Sequence, residues 1–249
     1  MLRFFRTIRK TLMEQNNIRT YLLYAIGEIL LVVIGILIAL QVSNWNEQRI
    51  ERNQLTNYYE RIHEELSDQV SYLEDRRASV DGLLTLTHRS IEIYNTNNPD
   101  SLYKLESTIG AIGTAWTPDY DFPILEEFLG SEYFSKVQDL EIKEKLRDFK
   151  SSIYSGAINS QFTISQYQTV IEPYIIKNFN YQNSAMPRYQ DFLIQGGPKT
   201  KYSKFHNDLE FWNILSLKYE NMNLTRISIR ETEDSMNELI KVLGQKLNK

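Results

Sequence analysis

An apolar stretch near the N-terminus constrains this chain more than any other feature. Residues 21–42 read YLLYAIGEILLVVIGILIALQV, and Glu28 is the only charged side chain among them. A helix needs about 18 or more consecutive apolar residues to cross the hydrocarbon core of a bilayer. The sequence therefore predicts a transmembrane helix over residues 21–45, preceded by a short segment, 1–20, and followed by a large domain, 46–249. The lipid bilayer is the first predicted partner.

The residues that flank the stretch predict its orientation. Its N-terminal side carries a basic excess, made up of Arg3, Arg6, Arg9, Lys10 and Arg19 against the single acid Glu14. On its C-terminal side acids and bases alternate. Because cytoplasmic flanks are rich in Lys and Arg, we expect the N-terminus in the cytoplasm and residues 46–249 outside it. Tyr21, Tyr24 and Trp45 stand at the two ends, where aromatic side chains anchor spans in the headgroup layer.

Two features of the N-terminal region have alternative interpretations. The apolar stretch is longer than the roughly 7–15 residues of a signal-peptide core. Its best small-residue cleavage site, Ala39-Leu40-Gln41, ends in a poorly fitting glutamine, so we predict a retained anchor rather than a cleaved signal peptide. Residues 1–20 place apolar side chains at helical spacing among basic ones. This segment is either an amphipathic helix on the anionic inner leaflet or a basic tail that only sets topology.

The composition limits the classes of partner and site. The 249 residues include 28 basic and 32 acidic side chains, a net charge of −4, and this near-balance predicts no nucleic-acid partner. There is no cysteine, which rules out disulfides and thiolate metal sites. Glycine and proline are scarce, at 10 and 6 residues, so long uninterrupted helices are expected.

The apolar pattern beyond the span predicts one very long helix. From Leu55 to Tyr94, apolar residues recur in steps of three and four, which is the spacing of one helix face. The first break is the run Asn95 to Pro99. We therefore predict a continuous helix from about Tyr21 to Tyr94. Because polar residues interrupt the face, we expect it to pack against later helices of the chain and not as a pure coiled coil.

Further helices are predicted from their start and stop signals. We expect a helix over 101–115 capped by Asp100 or Ser101, and one from Pro123 to near Gly130. A long helix begins near Asp139 and is kinked or ended by Pro173, residues 178–203 are irregular, and a last helix covers 208–247 with Leu209 among its inward residues. The predicted fold class is all-α: a single N-terminal transmembrane helix that continues into an elongated helical bundle.

The N-terminal sequence resembles that of a known group of proteins. The combination of FFRTIRKTLMEQN, YLLYAIGEILLVVIGILIALQV and the exit SNWNEQR, over residues 4–49, is similar to the opening of a family of uncharacterised membrane-anchored proteins of Bacteroidota. The resemblance implies a bacterial inner membrane as the location, and hence a periplasmic position for residues 46–249. It implies no activity, because the family has no assigned function and no established catalytic residues.

Glu28 is the most specific candidate for a functional residue. A charge inside a span costs on the order of 2.5–3.5 kcal/mol, so such a residue usually faces another helix or a polar path. At helical spacing it shares one face with Ala25, Val32, Gly35 and Ala39, of which Gly35 and Ala39 form a pair that permits close helix approach. Three readings stay open. The acid is protonated and hydrogen-bonds across a homo-oligomer, it couples ion flow to motion, or it is inert and reaches towards the interface.

The remaining chemistry-bearing residues form no recognisable site. The three histidines stand at no metal-ligand spacing, and the acid pairs fit solvated helix faces. Seven tyrosines in the second half of the chain fit either bundle seams or a ligand groove. Ser101 and Ser235 lie in Asp-Ser-aliphatic tripeptides, which resemble the O-glycosylation acceptor pattern of exported Bacteroidota proteins but are equally explained by chance or by helix capping. We predict no catalytic residue, no cofactor and no metal.

These observations predict a non-enzymatic protein anchored in the inner membrane, acting as a periplasmic scaffold or interaction protein. The expected partner is a second copy of the chain or another inner-membrane protein. One alternative is a sensor-like bundle that binds a small-molecule ligand of unknown identity. The other is an accessory subunit of an ion-driven membrane complex that uses Glu28.

Overall fold

The computed structural model describes residues 18–248, apart from the side chains of Ile18, Thr20, Tyr21 and Tyr24. All regular secondary structure in that range is helical, which confirms the all-α prediction. Residues 1–17 of the predicted amphipathic segment lie outside the described residues, as do the side chains of the two predicted anchors Tyr21 and Tyr24. The chain divides into two compact units, Met1–Thr56 and Asn57–Lys249, and the bundle is formed within the second.

The first helix, α1 (Ile18–Asn95), is continuous over 78 residues, as predicted. It ends where the sequence signals indicate, because Asn97 adopts a left-handed conformation with φ of 51° and asparagine tolerates that region better than most residues. Within the second unit its inward residues are fully buried, among them Ile62, Leu66 and Leu73. The predicted packing against later helices of the same chain is therefore confirmed.

Eleven further helical segments follow α1 within residues 18–248. Their bounds are a 3-10 helix Pro99–Ser107, α2 Ile109–Ile112, α3 Pro123–Gly130, α4 Glu132–Ser135, α5 Leu140–Gln166, a π-helical turn Tyr167–Ile171 continuing into α6 Glu172–Asn178, α7 Tyr181–Ser184, α8 Pro187–Gln190, a 3-10 turn Tyr202–Phe205, and α9 Leu209–Leu247. α9 runs antiparallel to α5, since Lys145 contacts Glu238 while Asn159 contacts Thr225.

Helix starts follow the sequence signals closely. The carboxylate of Asp208 accepts hydrogen bonds from the N–H groups of Glu210 and Phe211 at 2.9 and 3.1 Å, and Asp139 caps α5 in the same way. Capping by a side-chain oxygen satisfies N–H groups that the helix itself leaves unpaired. At α3 the cap comes from a distant residue, because both carboxylate oxygens of Glu65 in α1 accept from its first N–H groups.

Pro173 was expected to kink or end its helix, and the helix does not end there: a π-helical turn interrupts the α-helical geometry before the proline and α6 continues past it. Three local expectations were wrong. Residues 101–115 do not form one helix, since a 3-10 helix comes first and its cap is Asn98, whose side chain accepts from the Asp100 N–H. Residues 178–203 contain two short helices. Leu209 is exposed because it occupies the first turn of α9, ahead of the packed region.

Candidate functional site

The loop 113–122, which joins α2 to α3, is held by hydrogen bonds from three helical segments. The Tyr167 hydroxyl donates to the Gly113 carbonyl at 2.9 Å, and the Lys218 Nζ donates to the Thr114 carbonyl. The Asp119 N–H donates to the Tyr72 hydroxyl at 3.0 Å. A loop with its backbone groups bound at several points keeps one conformation, and it therefore positions its side chains on either face.

One face of the loop presents Trp116 to two arginines. The guanidinium carbon of Arg76 lies 4.8 Å from the centroid of the indole ring, and that of Arg188 lies 5.1 Å from it. Arg76 also lies 4.7 Å from the ring of Tyr72, and Arg188 lies 5.8 Å from the ring of Tyr189. Guanidinium groups at such distances are attracted by the negative face of an aromatic ring. We call these five residues the Trp116 cluster.

An open depression of about 540 Å³ adjoins the cluster. It is lined by Tyr72, Asp75, Arg76, Ala78, Ser79 and Trp116. Its walls thus combine two aromatic rings, one guanidinium and one carboxylate. A concave surface that mixes aromatic area with a few polar groups is the usual form of a small-ligand site.

The same loop also contacts a buried lysine. Lys218 is only 1% exposed, and loss of hydration lowers the pKa of its amine to about 7. Asn221, one helical turn away in α9, is equally buried, and neither atom of its amide has a hydrogen-bond partner among residues 18–248. Thr225 follows at the next turn and lies 3.4 Å from both Asn159 and Thr163 of α5. A polar seam therefore runs through the core between α5 and α9.

A second groove, between α1 and α9, is larger but internally neutralised. It measures about 650 Å³ and contains charged side chains of both signs. Arg77 pairs with Glu233 at 2.9 Å, Arg226 with Asp81 at 3.9 Å and Arg230 with Asp234 at 3.9 Å. The hydrogen bond from Arg77 to Glu233 raises the pKa of the guanidinium. The arginines of this groove already have acidic partners, in contrast to those of the Trp116 cluster.

The side chains of the apolar stretch make almost no packing contacts with the rest of the described chain. Its large apolar side chains between Leu22 and Val42 are all exposed, by 44% to 69%. The most apolar 18-residue window of the helix has a mean hydropathy of 2.6 and none of it is buried. By length and composition this helix qualifies as a membrane anchor or as a signal sequence. On the predicted small-residue face, a side chain added at Gly35 would meet no atom within 4 Å.

No known protein family, characterised protein or solved structure matches the chain. Its chemistry must therefore be read from its own residues. Between residues 18 and 248, no three side chains of His, Cys, Asp or Glu are grouped so that they could hold a metal ion.

The other predicted site residues belong to several different segments of the chain. Glu28 is partly buried and Trp45 is exposed, with the Arg49 guanidinium 5.7 Å from its ring. Ser235 is partly buried in α9, with its Oγ 2.8 Å from that of Ser152, whereas Ser101 lies in the first 3-10 helix. Of the seven tyrosines, Tyr174 and Tyr202 are buried in the core.

Sequence reasoning missed both the Trp116 cluster and the contact of Lys218 with the 113–122 loop. The Trp116 cluster joins residues that are 40 and 72 positions apart, and no local pattern links them. Lys218 left a detectable signal, because it lies three residues after Leu215 and four before Met222, both of which are fully buried. A lysine at that spacing falls on the apolar face of the helix.

Proposed function

We propose that this protein is a non-enzymatic scaffold or interaction protein anchored in a bacterial inner membrane. Its N-terminus is cytoplasmic and its bundle, within residues 46–249, is periplasmic. The basic excess before the span and the resemblance to membrane-anchored Bacteroidota proteins support the orientation and the location. α1 leads from the apolar stretch into the bundle without a break, so the anchor and the domain share one helix.

The observation that carries this proposal is the exposed apolar surface of α1 between Leu22 and Val42. Soluble monomers rarely expose contiguous apolar patches larger than a few hundred Å². Fourteen large apolar side chains in this segment are exposed, and burying a single Val, Leu or Ile is worth about 1.5–3 kcal/mol. A bilayer is the environment that removes such a surface from water around the whole circumference of one helix.

The orientation is tested by reporter enzymes fused after residue 249. One reporter is active only in the cytoplasm and the other only outside it. The expected result is activity of the external reporter alone. As a control, deletion of residues 21–42 should leave the cytoplasmic reporter active. Activity of the cytoplasmic reporter on the full chain would overturn the orientation and the periplasmic assignment.

A surface on the bundle supports the interaction role. From Ser151 to Ile171 there is no charged residue, although α5 and the π-helical turn leave many side chains exposed. Tyr154, Ile158 and Phe162 recur every four residues and are exposed, so they share one face of α5. Two copies of an uncharged face can meet without bringing like charges together. We therefore propose a second copy of this chain as the partner at this face.

A pair of matched variants tests this partner. Ile158 and Ile227 are exposed to the same extent, 51% and 49%, but Ile227 lies in the charged groove between α1 and α9. Ile158→Glu should reduce the dimer fraction in native mass spectrometry from mild detergent, because it would bury a carboxylate in the interface. Ile227→Glu should leave that fraction unchanged. Equal dimer fractions in both variants would exclude the α5 face as the contact.

A further inference from the structure

We propose that the Trp116 cluster binds an anionic group, a phosphate, sulfate or carboxylate, between the guanidinium groups of Arg76 and Arg188. This inference goes beyond the anchoring and interaction role and does not depend on it. The occupant is identified only by its chemistry, a compact oxyanion presented by a small molecule or by a lipid headgroup.

The geometry brings two positive charges to one ring. Both guanidinium carbons lie about 5 Å from the centroid of Trp116, so they are at most about 10 Å from each other. Like charges held this close repel, and the repulsion grows where protein displaces water. An anion placed between them converts that repulsion into two attractions.

Neither guanidinium is neutralised within the described part of the chain. No ion pair and no hydrogen bond involves the Arg76 or Arg188 guanidinium there, whereas Arg61 and Arg77 pair with Glu127 and Glu233 at 3.0 and 2.9 Å. Asp75 directly precedes Arg76 and lines the same depression, yet it forms no ion pair with it. Each arginine offers five N–H donors in a planar fork that matches an oxyanion. Contact with an aromatic ring through the guanidinium face leaves those donors free at its edge.

Tyr72 adds a third donor at the same place. Its hydroxyl oxygen already accepts a hydrogen bond from the Asp119 N–H, so its own proton remains to be donated to a ligand. Because Asp119 lies in the loop that carries Trp116, this hydrogen bond also fixes the ring relative to α1. The open depression of about 540 Å³ is lined by Tyr72, Arg76 and Trp116 and is wide enough for an inorganic oxyanion or a small anionic metabolite. Arg188 is not among its lining residues and joins the site through its contact with the Trp116 ring.

Asp75 gives the proposal a second, opposite prediction. Its carboxylate is the one acidic group lining the depression, and it disfavours an incoming anion by charge repulsion. Removing its charge should therefore strengthen binding, whereas removing either arginine should weaken it. If the cluster only fastens the loop to α1 and α8, the protein should bind no anion, and the arginine and Asp75 variants should not change anion affinity in opposite directions.

The test uses the full chain in phosphatidylcholine nanodiscs with Trp45→Phe and Trp212→Phe, which leaves Trp116 as the single tryptophan. Inorganic phosphate and sulfate are titrated against chloride at constant ionic strength. Affinity is measured by calorimetry and location by Trp116 emission. We expect saturable binding that changes the emission. Arg76→Gln and Arg188→Gln should each weaken it about 10- to 100-fold, the loss expected for hydrogen bonds to a charged group, and Asp75→Asn should strengthen it.

Controls keep the result interpretable. Arg89→Gln removes an exposed arginine of α1 outside the cluster and should leave the affinity unchanged. If a glutamine variant fails to fold by circular dichroism, Arg76→Lys and Arg188→Lys keep the charge but lose the fork, and should still weaken binding. Competition by phosphatidylglycerol nanodiscs would identify a lipid headgroup as the source, and its absence a soluble anion. No saturable binding by the parent protein, or equal affinity in the arginine variants and Arg89→Gln, would overturn the proposal.

Discussion

Replacing Lys218 with methionine should make the protein more stable, and the gain should depend on pH. Lys218 is almost completely buried and its pKa falls from 10.5 to about 7. Each unit of pKa shift corresponds to 1.36 kcal/mol, so keeping this amine buried costs about 5 kcal/mol at pH 7. Methionine has a similar length and no charge. Its drawback is that the Thr114 carbonyl loses its donor, which costs about 1–3 kcal/mol. The expected net gain at pH 7 is therefore about 2–4 kcal/mol.

The pH dependence follows from the protons bound in each state. Between pH 7 and 10.5 the unfolded chain holds a proton on Lys218 that the folded chain has lost, so the wild type becomes more stable as pH rises. The stability difference between Lys218→Met and wild type should accordingly shrink by about 1.4 kcal/mol per pH unit in that window. Below pH 7 both states bind the proton and the difference should be constant.

Urea unfolding in mild detergent, followed by far-ultraviolet circular dichroism between pH 6 and 10, measures this effect. Lys145→Met is the matched control, because Lys145 is partly exposed and its hydrogen bond to Glu238 raises the pKa of its amine. The control should not be stabilised in this range. The reasoning would be refuted if Lys218→Met were less stable than wild type and the difference in their free energies of unfolding did not change with pH. That result would show that the buried amine stays charged.

Three further variants test the span and the packing of α2. Gly35→Leu should weaken oligomerisation in native mass spectrometry, because small residues permit close helix approach in lipid. Gly27→Leu, roughly a third of a turn from that face, should not, and equal losses would exclude the face. Glu28→Gln should preserve assembly. If Glu28 couples an ion, the Glu28→Gln protein should fail to complement a strain that lacks the gene. If Glu28 is structural, the Glu28→Gln protein should complement that strain fully. Gly110→Ala should destabilise the bundle by about 1–3 kcal/mol, because its new Cβ would lie 2.6 Å from the Ser184 carbonyl. Gly130→Ala, which meets no atom within 4 Å, should be neutral in the same urea assay.

The parts of the fold that depend on local chemistry were predictable from the sequence. The continuous α1, the Asp139 and Asp208 caps and the position of Pro123 each follow from residues within one or two turns. The π-helical turn before Pro173 was not predictable, because the helix could equally have ended there. The choice of this turn depends on packing, since Ile171 at its end and Ile175 in the helix that follows are both buried.

The Trp116 cluster could not be predicted because it is formed by tertiary contacts alone. Arg76, Trp116 and Arg188 belong to α1, a loop and α8, and each looks like an ordinary surface residue in its own segment. Residues 178–203 were expected to be irregular, so the short helix α8, which positions Arg188, was not predicted. Lys218 was visible as a lysine on an apolar face, but the sequence does not reveal that the Thr114 carbonyl receives its hydrogen bond.

The central claim, that the N-terminal helix is a retained membrane anchor, is tested most directly by the intact mass of the protein from its native membrane. Cells are fractionated, the membranes are washed with alkaline carbonate, and the protein that remains is measured by mass spectrometry. The account predicts the whole chain of 29.4 kDa in the washed membrane fraction. A shorter soluble chain that begins after Gln41 would show a cleaved signal sequence and would contradict it.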